Sequence, residues 1–246
     1  MRLSVAFASV LLATGSAQAA LSTFVSNPGS NSVDWTQYVQ SLGSPIDLDV
    51  DFESHALGDF DGDHYAQTDG VTMTLAGSNF TVADVVLNFN NYNGSLDGNT
   101  SAAEGVADEN QHVFAAYSSS GPWTLTVNFA TPVTGFGLDV IDLYNPWGNR
   151  TVTLAAYTGT NGTGTMLGTA SALQYNFQLY NKYFMGLASD TPNIGSVVFT
   201  NPHPFYGDGI FLDSMRMALA PVPEPGTWAL TVAGLGLLGW AARRRA

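Results

Sequence analysis

The sequence predicts an all-β fold, an antiparallel β-sandwich over residues 21–220, with an N-terminal signal peptide before it and a short C-terminal transmembrane helix after it. Three observations carry this. Short runs alternate apolar and polar residues with the period of a strand, and they are rich in Val, Thr and aromatics. Gly, Asn, Asp and Pro punctuate the gaps, as at Asn93-Gly94, Asp97-Gly98, Thr160-Asn161-Gly162 and Asn201-Pro202. Between the two ends only Ser32 to Leu42 carries a helical period, so strands must pack against strands.

Residues 1–20 read as the signal peptide. Arg2 gives the positive start, Leu3 to Ala13 the apolar run, and Ala17-Gln18-Ala19 the small-x-small site, with cleavage after Ala19 or Ala20. The apolar run is too short to span a bilayer, which takes about 20 residues. The first strand follows at Ile46-Asp47-Leu48-Asp49-Val50-Asp51-Phe52-Glu53, apolar on one face and acidic on the other. Further strands are expected at 71–75, 82–89, 123–129, 135–143, 151–157, 184–187, 196–200 and 210–218. The small, polar stretch from Asn90 to Glu109 reads as a long loop or insertion. No repeat of fixed period is visible. One domain is expected rather than two, because the strands near its two ends look like partners.

Charge narrows the function classes. Between residues 21 and 220 there are three basic residues, Arg150, Lys182 and Arg216, against nineteen acids, a net of −16. That argues against nucleic acid, whose phosphates need clustered Lys and Arg. It suits solubility or divalent cations. With no cysteine in the chain, thiol catalysis and thiolate metal sites are excluded. A domain of this size buries enough core to stand without disulfides.

The tail, residues 221–246, differs in composition. Pro221-Val222-Pro223-Glu224-Pro225-Gly226 joins neither a helix nor a central strand. Thr227 to Ala242 is apolar and uncharged, and Arg243-Arg244-Arg245 follows. Sixteen helical residues reach about 24 Å, short of the ~30 Å hydrocarbon core, a mismatch met by thinning and snorkelling. The arginines hold that end in the cytoplasm and leave the domain outside. The Pro223-Glu224-Pro225 motif, the apolar helix and the arginine cluster together resemble the PEP-CTERM sorting signal. The resemblance implies an exosortase, a membrane-embedded cysteine peptidase, that cuts near Pro-Glu-Pro. It further implies transient anchoring in the inner membrane, then passage to the cell surface or extracellular matrix, often alongside exopolysaccharide. An uncut single-span anchor is the plainer alternative.

The order of short motifs in the middle also resembles jelly-roll modules of the galactose-binding or carbohydrate-binding type. Asp51-Phe52-Glu53 opens it, Gly70-Val71-Thr72-Met73-Thr74 follows, and the strand Asp208-Gly209-Ile210-Phe211-Leu212-Asp213-Ser214-Met215 closes it. Such modules hold a structural calcium between first and last strands. The resemblance implies Glu53 and Asp213 as ligands, with Asp51 or Asp208 helping.

Two constellations bear on chemistry. Eight acids and no Lys or Arg lie between Asp47 and Asp69. Such a run needs water or a cation to relieve its repulsion, and calcium takes six to eight oxygens. Asp59-Phe60-Asp61-Gly62-Asp63 has D-x-D-x-D spacing, but His64 and Gly70 occupy the positions where an EF-hand needs Gly and Glu. What survives is a looser Asp loop, or a solvated acidic edge that blocks strand pairing. Trp35, Trp123, Trp147, Tyr144, Tyr180, Tyr183 and Tyr206 offer flat faces to a sugar ring, unless they fill the core. Tyr144 and Trp147, in Asp142 to Arg150, lie in the richest loop and are the ligand-binding candidates. Catalysis has little support: His55, His64, His112 and His203 lack the HExxH spacing, and no G-x-S-x-G elbow occurs. The expectation is a non-enzymatic, calcium-stabilised surface or matrix protein associated with exopolysaccharide. A secreted polymer-degrading hydrolase and a purely structural displayed protein are the alternatives.

Overall fold

The computed structural model describes residues 20–25, 33–50, 52, 58–59, 61–77, 80–86, 112–118, 121–141, 150–174, 182–202 and 210–221, with 233–235, 237, 240, 243 and 244 in the tail. Thirteen strands and one helix are seen among those up to residue 221. They are β1 (Leu21–Val25), α1 (Val33–Ser41), β2 (Ile46–Val50), β3 (Gly58–Asp59), β4 (Val71–Gly77), β5 (Phe80–Val86), β6 (His112–Ser118), β7 (Trp123–Val133), β8 (Gly135–Ile141), β9 (Arg150–Tyr157), β10 (Met166–Gln174), β11 (Lys182–Ser189), β12 (Ile194–Asn201) and β13 (Ile210–Ala218).

They form two antiparallel sheets. The larger runs β1-β11-β8-β13-β6-β5-β3, with β2 also paired to β13, and the smaller runs β10-β9-β12-β7-β4. Strict alternation produces the shared core. Phe136, Leu138 and Val140 of β8 and Tyr183, Met185 and Leu187 of β11 face Trp123, Leu125, Val127 and Phe129 of β7 and Val152 and Leu154 of β9. The large sheet buries its other face as well. Trp35 and Val39 of α1 pack there on Phe184, Ala188 and Ala218 in a second cluster. The Trp35 indole N–H donates to the Leu187 carbonyl at 3.1 Å.

Every strand expected from alternation is present, and the expected partnership of the two ends is the β2–β13 pairing, Ile46 opposite Ala218 and Val50 opposite Met215. The first strand is shorter than its pattern suggests. It is described to Val50, and the buried Phe52 bends the chain with a left-handed backbone (φ 64°), while residues 51 and 53 lie outside the described residues. Residues 90–109 lie outside the described residues.

The strand directions give the sandwich two poles. At one, β8 begins, β11 and β13 end and β7 turns directly into β8 through Thr134. At the other lie the far ends of β8, β11 and β13, at Ile141, Lys182 and Ile210.

Candidate functional site

The outer face of the large sheet carries a buried charged cluster. Asp139 of β8 and Asp213 of β13 are direct cross-strand partners, and both are buried, at 2% and 4% exposure. Like charges at paired positions repel. Arg216 offsets this, its Nη2 donating to Asp139 Oδ2 at 3.3 Å.

Residues 213 and 216 of a regular strand would point to opposite faces. A β-bulge brings them to the same side: between Asp213 and Arg216, β13 carries one more residue than β8. Ser214 takes the strained position (φ 48°), and its N–H donates to Asp213 Oδ1 at 2.7 Å. Met215 and Met217 therefore return to the core while Arg216 faces Asp139. The Arg216 guanidinium also lies over the Phe184 ring, 5.5 Å from its centroid, and Phe184 leans on Trp35 at 5.8 Å. Gly137 and Gly186 make room for that ring. A Cβ on either would sit 2.5 Å and 2.7 Å from Phe184 carbons.

Of the residues nominated from sequence, Asp213 is in this cluster. Asp139 and Arg216 were not nominated. Alternation around Phe136, Leu138 and Val140 puts Asp139 on the outer face, but the bulge that turns Arg216 toward it leaves no mark in the pattern. Glu53, Asp51 and Asp208 lie outside the described residues, as do Tyr144 and Trp147. Asp59 is placed by its backbone, opposite Ala83 in the β3–β5 pair. Asp61 and Asp63 lie exposed in the turn before β4, where the Asp63 N–H donates to Asp61 Oδ1 at 3.0 Å. That turn is tied to the small sheet through Met73 N–H to the Gly62 carbonyl, 2.8 Å. Asp213 belongs to the other sheet, so the two calcium readings fall on different parts of the molecule. Among the described residues no group of three or more His, Asp or Glu converges as a metal site.

Three aromatics weighed as sugar platforms are core residues. Trp35, Trp123 and Tyr183 are buried, and Trp123 packs on Phe199 at 5.4 Å.

In the tail, the Arg244 guanidinium stacks over Trp240, 3.8 Å from the ring centroid. Pro223, Glu224, Pro225 and Arg245 lie outside the described residues, while Arg243 and Arg244 close the helical part. No helix among the described residues is long and apolar enough to cross a membrane. Residues 221–245 match the PEP-CTERM protein-sorting motif. The chain thus ends in the sorting signal of an exported protein.

No curated protein matches the sequence. Among solved structures, the chain is similar to a family 11 carbohydrate-binding module of a cellulosomal cellulase of Clostridium thermocellum, at 10% identity and TM-score 0.36, covering 74% of this chain and 98% of that one. It is similar to a cleaved adhesin domain of Lys-gingipain from Porphyromonas gingivalis, at 12% identity and TM-score 0.45, covering 72% and 99%. A xylan-binding domain from Paenibacillus barcinonensis matches at 10% identity and TM-score 0.33, covering 73% and 97%.

Proposed function

We propose that this is a non-catalytic exported protein, cut from the membrane by an exosortase at its PEP-CTERM tail and displayed at the cell surface or in the matrix, where its sandwich associates with exopolysaccharide. The match of residues 221–245 to the sorting motif carries the reading. The test is mass spectrometry of the native extracellular product. Its first residue should be Ala20 or Leu21 and its last should fall near Pro223-Glu224-Pro225. A product retaining Met1 and Arg245 overturns the proposal. For the sandwich, retention on the host's exopolysaccharide is expected with purified protein, and no retention with or without calcium removes that part.

Calcium belongs to the same proposal. Asp213 is a hard oxygen donor, buried. β2 ends at Val50 opposite Met215, so the chain leading to Asp51 and Glu53 leaves two positions from Asp213. Those residues suit a structural Ca2+ by donor type. An ion bound only to the folded chain raises the melting midpoint by several degrees, which chelator should abolish. Coincident melting curves remove the ion.

A hydrolase needs carboxylates within reach of its polymer. Asp139 and Asp213, the paired carboxylates described, are both buried.

A further inference from the structure

Both ends of the folded body leave from one pole of the sandwich. β1 begins at Leu21, immediately after the expected signal cleavage site, and Ser22 is opposite Ala188 of β11. Ala188 is opposite Gly135 of β8, and Gly135 is opposite Ala218 of β13. These four residues form one row across the large sheet. Three strand spacings of about 4.8 Å put the two chain ends roughly 14 Å apart.

The pole is stitched right up to the sorting motif. The Thr134 N–H donates to the Ala218 carbonyl and the Ser189 N–H to the Thr134 carbonyl, both at 2.7 Å. The Leu219 N–H donates to the Pro45 carbonyl at 2.8 Å, and the Thr134 hydroxyl to the Leu219 carbonyl at 3.1 Å. The matched motif starts at residue 221. Ala220 alone lies between the last of these hydrogen-bonded residues and the start of the matched motif.

At the opposite pole lie the strand ends Ile141 and Arg150, Gln174 and Lys182, and Asn201 and Ile210.

We infer that this geometry fixes how the protein stands on the membrane. The pole carrying Ser189, Thr134 and Leu219 abuts the bilayer while either terminal segment is still inserted, and the pole of Ile141, Lys182 and Ile210 faces outward. The inference rests on the proposed sorting of the tail. A precursor inserted at both ends fits the same orientation without unwinding β1, because both tethers leave the same edge of the molecule. Charge keeps the contact dependent on the tethers. Asp190 is exposed directly after β11 at this pole. Anionic headgroups repel such a pole within a Debye length, about 8 Å at physiological salt. Cutting the tail then frees the body.

The chain has no cysteine, which makes a labelling test direct. Thr191→Cys, exposed between β11 and β12, reports the tethered pole, and Pro122→Cys, exposed before β7, reports the outer pole. The full-length chain is produced in a bacterial host without exosortase, and spheroplasts are treated with an impermeant polyethylene-glycol maleimide. Position 191 should react several-fold more slowly than position 122. Inserting twenty Gly/Ser residues between Ala220 and Pro221, which span about 25 Å, should bring the two rates together. Equal rates without the insertion, or shielding that persists with it, overturn the inference. Failure of the sorting reading looks different: neither site reacts until lysis, or alkaline carbonate strips the chain from the membrane.

Discussion

Arg216 is the residue on which the charged face of the large sheet turns. It pairs with Asp139, whose cross-strand neighbour is Asp213, and both carboxylates are buried. Removing one partner of a buried pair leaves a charge without compensation, which costs about 3–5 kcal/mol. Arg216→Met should therefore lower the urea midpoint severely, although its apolar stem still packs on Phe184. Replacing Asp139 with Leu in the same chain should recover a large part of the loss, because an ion pair exchanged for apolar groups is close to neutral. If the single and double variants unfold at the same urea concentration, electrostatic compensation is not what Arg216 provides.

At the scale of the element, β13 depends on its bulge. Ser214 has φ 48°, a conformation a β-branched residue adopts only under strain. Ser214→Val should cost about 1–3 kcal/mol, whereas Ser214→Gly, free of that strain, should be neutral or slightly stabilising in thermal melts. The opposite order would mean that the bulge is not kept in solution. This bulge marks where sequence reading stops. Alternation identified β4, β7, β8, β9 and β12 because each alternates large apolar residues on one face. β10 escaped it because its inward residues are Ala170 and Ala172, and its outward ones include Ser171, so the pattern has little amplitude. β1 escaped because it follows directly on the segment read as a signal peptide. In the site, Asp213 was found by its place in the last strand. Arg216 was not, since three positions along a strand normally means opposite faces, and only the extra residue reverses that. Trp35 and Trp123 were offered as sugar platforms because the sequence names aromatic faces without saying which way they point.

At the scale of the molecule, β1 starts at Leu21, directly after the cleavage site that the sequence predicts. β1 is the edge of the large sheet and covers β11 from Met185 to Ser189. Its Leu21 reaches across to the small sheet, where a Cβ on Gly168 would meet the Leu21 side chain at 2.6 Å. Its Phe24 packs against Tyr38 of α1 at 5.4 Å. A mature chain lacking residues 20–25 loses both partly buried side chains, roughly 3 kcal/mol of apolar burial. It also bares β11, whose residues Tyr183 to Ser189 are all buried in the intact protein, and an uncovered apolar edge pairs with other molecules. The truncated body should unfold at lower urea and scatter light at concentrations where the chain starting at Ala20 stays monodisperse. Cleavage after Ala19 or Ala20 keeps β1 whole, while a cut only a few residues deeper would give the unstable form. Equal stability and solubility of the two chains would show that β1 does not close this edge, and would break the row from Ser22 to Ala218 that places the two tethers together.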